Sequence, residues 1–141
     1  MSPDFPENNG TTTFGLHLML DAYESDPVRL DDMKLVYKFL NDAPGIIGMK
    51  KLTTPVVADA DLSASGKDPG GISGFVMIAE SHISIHTFAK RGFFTLDVYS
   101  CRNFEEKIDT LMNYIKETFS FGEHELQVVK RGLHYPVKDR A

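Results

Sequence analysis

The chain has 141 residues, 42% hydrophobic and 25% charged, the balance of a soluble globular protein with enough length for one well-filled core. A formal net charge of -5 excludes sequence-independent nucleic-acid binding, which needs a basic footprint, and suits a small cationic substrate. With Cys101 as the only cysteine, no intrachain disulfide can form, and a reducing, cytoplasmic setting is expected.

Residues 1–13, rich in Pro, Asn, Gly and Thr, read as a disordered leader. They lack the charged and apolar regions of a signal peptide. No apolar run anywhere approaches the roughly 18 residues of a membrane span, so no membrane partner is expected. Residues 14–141 read as one domain without internal repeats. Residues 14–23 alternate as a first strand, Leu16, Leu18 and Leu20 on one face and His17 and Met19 on the other. Asp26-Pro27 opens a helix, a capping carboxylate followed by proline. Its stripe is Leu30, Met33, Tyr37 and Leu40, and Pro44-Gly45 stops it. Residues 46–57 read as a strand and 58–71, full of Asp, Ser, Gly and Pro, as a long loop.

Residues 72–79 form a continuous apolar run, a strand covered on both faces. Residues 82–88 and 93–100 make a hairpin around 89–92. Asn103 and Glu106 have capping-box spacing. Phe104, Ile108, Leu111, Ile115 and Phe119 then mark a second helix ending near Gly122, and residues 126–129 give a last short strand. The sum is an α+β protein, a two-layer sandwich with a mainly antiparallel sheet and helices on one face. Its other sheet face needs cover, and a homodimer packed sheet to sheet would supply it.

The most informative stretch is Glu80-Ser81-His82-Ile83-Ser84-Ile85-His86. As a strand it puts Ile83 and Ile85 on one face and His82, Ser84 and His86 on the other. Ser81 reads as the head of that polar row, with a peptide carbonyl before it to attack. Taken singly, Ser81 is a strand-end serine, His86 a solvated histidine and Cys101 a small buried hydrophobe. A shared metal ion at His82 and His86 fails on distance, since four strand residues span about 13 Å and ligand atoms sit about 2 Å from a metal. Neither Ser73 nor Ser81 lies in a G-x-S-x-G elbow, which argues against a serine hydrolase.

Taken together, Gly71-Ile72-Ser73-Gly74, Glu80-Ser81-His82, Ile85-His86-Thr87, Asp97 and Cys101 resemble the prokaryotic S-adenosylmethionine decarboxylase proenzymes. The resemblance is strong from Gly71 to Cys101, weaker at Gly15-Leu16-His17-Leu18 and Asp21-Ala22-Tyr23, and architectural elsewhere. It implies self-cleavage between Glu80 and Ser81. Ser81 Oγ would attack the Glu80 carbonyl, and elimination from the resulting ester would leave a pyruvoyl group on residue 81 as the cofactor, with no metal and no pyridoxal phosphate. It also implies that His86 moves protons during processing, that Ser73 supports it, and that Cys101 reprotonates the product carbon. The pyruvoyl ketone would hold the substrate amine as a Schiff base while CO₂ leaves. The implied assembly is again a homodimer.

The chain departs from the family where substrate is recognised. Family members carry Thr-Trp-Pro-Glu after the processing histidine, and the glutamate binds ribose hydroxyls. Here the run is Thr87-Phe88-Ala89-Lys90, and a lysine has no acceptor for a diol. The position of the family's adenine-stacking ring holds Lys67. These losses favour a basic amino acid, arginine or ornithine, over S-adenosylmethionine by a narrow margin. Asp59, Asp61 and Asp68 are then candidate partners for the distal cation, and Glu80 is another. The alternatives are S-adenosylmethionine itself, feeding spermidine synthesis, and a non-catalytic regulatory paralogue.

Overall fold

The computed structural model describes residues 11–59 and 71–136. Six strands form one antiparallel sheet: β2 (Gly15–Ala22), β3 (Val56–Asp59), β4 (Ile72–Ile78), β5 (Ser81–Phe88), β6 (Phe93–Ser100) and β7 (His124–Arg131). Their order across the sheet is β3-β4-β5-β6-β2-β7. A two-residue strand, β1 (Thr11–Thr12), pairs separately with β8 (Tyr135–Pro136). Thr11 and Thr12 therefore lie in a strand within the stretch 1–13 read from composition as a leader; residues 1–10 of that stretch lie outside the described residues.

Helices α1 (Pro27–Leu30), α2 (Met33–Ile46) and α3 (Ile108–Phe119) pack on one face of the sheet. That face carries Leu16, Leu18 and Leu20 of β2, Val76 and Ile78 of β4, Ile83 and Ile85 of β5, and Leu96 and Val98 of β6, all 1% exposed or less. The helices answer with Val36, Phe39, Leu40, Leu111, Ile115 and Phe119. Each such side chain removed from water contributes about 1.5–3 kcal/mol. Gly74 lets α2 approach closely, since a Cβ there would lie 2.7 Å from Leu40 Cδ1. The α+β sandwich with helices on one face is the architecture that the alternating patterns imply.

Several boundaries differ for identifiable reasons. The first helix is two, because Asp26 and Asp32 each cap a separate start, accepting from the Val28 and Leu35 N–H groups at 2.9 and 3.1 Å. Pro44 does not stop α2. It sits in the last turn, buried, and the helix runs on to Ile46 until Gly48 takes φ +78°. That left-handed turn, with Pro55 downstream, breaks the strand expected over 46–57; only Lys51 bridges to Ile78, and β3 begins at Val56. Residue 79 lies outside β4, whose alternating burial shows α2 on one face and, among the described residues, no helix on the other, rather than cover on both. Asn103 does not form a capping box with Glu106. Its Oδ1 accepts from the Glu105 N–H at 2.8 Å, opening a 3₁₀ turn (Glu105–Lys107) ahead of α3. Strand β7 is twice its expected length; as an edge strand it exposes polar flanks that mask its alternation.

Among the described residues, no helix lies over the second sheet face. His17, Met19, Phe75, Met77, His82, Ser84, His86, Asp97, Tyr99 and Val129 stand there half-buried or exposed.

Candidate active site at the start of β5

Strands β4 and β5 are joined by the shortest kind of hairpin, Ile78 pairing Ser81 with only Ala79 and Glu80 between them. A chain reversal in two residues demands unusual dihedrals, and Glu80 supplies one at φ +60°. For a residue with a Cβ this left-handed conformation costs on the order of 1–3 kcal/mol. The strain sits on the residue whose carbonyl precedes Ser81.

Ser81 is 6% exposed. It shares its parity with Ile83 and Ile85, so its side chain lies on the helix-covered side and does not head the polar row of His82, Ser84 and His86. Its Oγ accepts a hydrogen bond from the backbone N–H of Cys101 at 3.0 Å. Cys101 is in reach because β6, which ends at Ser100, runs beside β5 with Tyr99 opposite His82. The Cys101 thiol lies 3.7 Å from Glu80 Oε1 and 4.0 Å from the Ala79 carbonyl. Glu80, Ser81 and Cys101 are thus one cluster. A cavity of about 680 Å³ opens beside it, lined by Ile78, Ala79, Glu80 and Cys101 together with Phe14, Met49, Lys50, Arg102 and Tyr135.

Ser73 and His86 are brought to each other but not to Ser81. They face across the β4–β5 ladder with Oγ and Nδ1 2.8 Å apart. Five residue steps along the strand lie between Ser81 and His86, about 17 Å, and the two side chains leave opposite faces of the sheet. Lys90 lies in the 3₁₀ turn Ala89–Arg91 beyond the far end of β5. With Asp59 it lines a different cavity, of about 870 Å³, floored by Pro27, Asp31 and Asp32. Neither reaches the Ser81 cluster within the chain. Lys67, Asp61 and Asp68 lie outside the described residues.

Two features of the neighbourhood have no motif in the sequence. One is the Cys101 N–H, a backbone donor that only strand register can position. The other is a polar network next to Ser81 on the uncovered face. There His17 Nε2 lies 3.1 Å from Asp97 Oδ1, and the Tyr99 ring is flanked by His82 at 5.6 Å and covered by the Arg131 guanidinium at 4.5 Å. Burial above all, then the facing His17 and Arg131, hold His82 below the ordinary imidazole range against the opposing pull of Asp97. The alternation that put His17 and His82 on polar faces was the available signal for this network; their pairing was not. No described helix is long and apolar enough to cross a membrane.

Comparison with known proteins meets this geometry. The model of the family described as S-adenosylmethionine decarboxylase matches residues 16–132. The S-adenosylmethionine decarboxylase proenzyme of Sulfurihydrogenibium sp. (strain YO3AOP1) is 31% identical over 121 residues, covering 86% of this chain and 84% of that protein. The proenzyme of Thermococcus kodakarensis is 33% identical over 124 residues, covering 86% and 78%. Among solved structures, the adenosylmethionine decarboxylase from Aquifex aeolicus superimposes with a TM-score of 0.70 at 30% identity, over 85% of this chain and 92% of that one. A match running from β2 to the end of β7, through every strand of the main sheet, shows that this chain belongs to the S-adenosylmethionine decarboxylase family of pyruvoyl-dependent carboxy-lyases, made as proenzymes.

Proposed function

We propose that the chain is a self-processing S-adenosylmethionine decarboxylase, cut between Glu80 and Ser81 and active as a homodimer packed sheet to sheet in the cytoplasm. The observation that carries this reading is the hydroxyl of Ser81, held at 3.0 Å by the Cys101 N–H beside the strained Glu80 residue. The hydrogen bond fixes the serine rotamer and leaves the hydroxyl proton free to depart. Attack on the Glu80 carbonyl relieves an unfavourable backbone conformation, which lowers the barrier to an otherwise uphill amide-to-ester exchange. These residues fit the precursor of a pyruvoyl group, whose ketone and adjoining carbonyl supply the electron sink for a departing carboxylate. The Cys101 thiol, on the same cavity wall, is suited to deliver a proton to the product carbon.

His86 and Ser73 enter through a second copy. One chain alone leaves them about 17 Å from Ser81. Their face also carries exposed Phe75, Met77 and Val129, an apolar surface that face-to-face packing would cover. In that arrangement the Ser73 hydroxyl orients the His86 imidazole through the 2.8 Å contact, and the imidazole approaches its partner's exposed Ala79–Glu80 turn from the uncovered side, where it moves protons at the scissile peptide rather than at the buried Ser81 hydroxyl.

S-adenosylmethionine replaces the basic amino acid favoured by sequence. The relatives compared above carry that activity in their names. Of the aspartates suggested for a distal cation, Asp59 lies with Lys90 in the other cavity. Glu80 is the one carboxylate among the described residues lining the cavity at Ser81, and its own bond is the one to be cut. Mass spectrometry of the purified protein is expected to find two pieces divided before Ser81, the second with a terminal keto group; a whole chain alone would favour a regulatory paralogue. CO₂ release from S-adenosylmethionine, arginine and ornithine, run side by side, decides the substrate. Preference for either amino acid would reinstate Lys90 as a sign of altered specificity.

A further inference from the structure

Lys50 and Arg102 line the cavity at the cut site, yet neither side chain makes an ion pair or hydrogen bond among the described residues. Their backbones are held firmly. The segment bearing Lys50 is tied to the end of β4 by the Leu52 N–H to Met77 carbonyl bond at 2.8 Å and by the Lys51–Ile78 bridge. Ser100 Oγ donates to Met49 Sδ at 3.0 Å and accepts from the Arg102 N–H at 3.0 Å. Both residues are therefore anchored at the cavity that the Ala79–Glu80 turn also lines.

Charge shows what they are matched to. The described lining holds two cations and one carboxylate, that of the Glu80 side chain. Scission before Ser81 gives Glu80 a second carboxylate, its new α-carboxylate, and the count becomes two against two. A role in gripping the reacting carboxylate of a substrate fits poorly, because cations that stabilise that group before it leaves as neutral CO₂ would slow its loss. We propose that Lys50 and Arg102 form a carboxylate clamp for the leaving group of self-processing. The inference rests on the cleavage proposed above and adds to it the residues that drive its elimination step. In that step a base takes the Ser81 Hα, the Cα–Cβ double bond forms, the Cβ–O bond of the ester breaks, and the electron pair departs on the Glu80 α-carboxylate. The dehydroalanine tautomerises to an imine, and water releases ammonia and leaves the ketone. Negative charge develops at the wall of the cavity that Lys50 and Arg102 also line, a partly enclosed space where fixed charges act more strongly than in open water.

The test follows the full chain after cell-free synthesis, by intact mass spectrometry against time, in three forms: unmodified, Lys50→Gln with Arg102→Gln, and Lys50→Arg with Arg102→Lys. The glutamine pair should slow fragment appearance by about 10-fold or more. It should also accumulate an uncut species that hydroxylamine cleaves before residue 81, the signature of an ester waiting to eliminate. The charge-conserving pair should restore the rate. Glutamine variants that process at the unmodified rate overturn the clamp. So does slowing without a hydroxylamine-sensitive ester, or slowing that the charge-conserving pair shares. An unmodified chain that never cuts overturns the cleavage reading itself, which separates the two failures.

Discussion

The two ends of β5 are built on opposite plans. At its start, Ser81 points to the helix-covered side, buried, with a backbone donor on its hydroxyl and a strained residue before it. Near its end, His86 points to the uncovered side, exposed, bonded to the side chain of Ser73. The first is a group fixed by its own fold; the second is a group displayed on a surface. A strand is straight and its side chains alternate, so one eight-residue element can carry two polar groups that never meet in the same chain. Close spacing in sequence is a poor guide to a shared site when the element is extended.

The largest expected effect falls at the buried end. Ser81→Ala should leave one uncut chain by mass spectrometry, with decarboxylation down on the order of 10⁴-fold or more. Cys101→Ala keeps the backbone N–H that holds Ser81 and removes only the thiol. Turnover should fall by about 10²–10⁴ while the chain still divides, measured as CO₂ release per cut protein; undiminished release would take the thiol out of the mechanism. Co-expression addresses the displayed end. His86→Ala and Ser81→Ala chains should each stay whole alone, whereas together roughly a quarter of the potential sites combine an intact Ser81 with an intact partner His86 in a two-fold dimer. Absence of any cut product in the mixture would confine both groups to one chain. The smallest effect concerns His82. Its folded pKa is depressed by burial, His17 and Arg131, so the unfolded chain binds more protons below its own value of about 6.5. Stability is therefore complete above that pH and falls as pH drops toward the folded pKa. Thermal melting between pH 7.5 and 5 should show a shallower acid decline in His82→Gln; an equal slope would mean the network around Tyr99 does not sense protons.

How much was legible depended on whether the signal was local. The strict alternation of residues 82–88 and 93–100 located β5 and β6 within a residue, and the stripe Ile108, Leu111, Ile115 located α3. The break at Asp31-Asp32 hid inside a stripe that two helices share, because Leu30 and Val36 both face the core. Pro44 misled because a proline in a last turn costs one N–H and little else. At the site, Ser81, Glu80 and Cys101 were readable as a group. The facing of Ser81 was not, since its small polar side chain suggested the polar face while its odd number placed it with Ile83. That His86 meets Ser73 depends on β4–β5 register, which no spacing in either strand states. Lys50 and Arg102 belong to no motif and become neighbours of Glu80 only after the sheet closes around them.

The strand order β3-β4-β5-β6-β2-β7 has a further consequence for a chain severed before Ser81. The leading fragment would own β2, β3 and β4 and the trailing fragment β5, β6 and β7, so ownership changes three times on crossing the sheet. β2 would be threaded between two strands of the other fragment, hydrogen-bonded along seven residue pairs on one side and eight on the other. Two polypeptides interlaced in this way share a single core and cannot drift apart by dilution. They would separate only on unfolding, with no covalent link required.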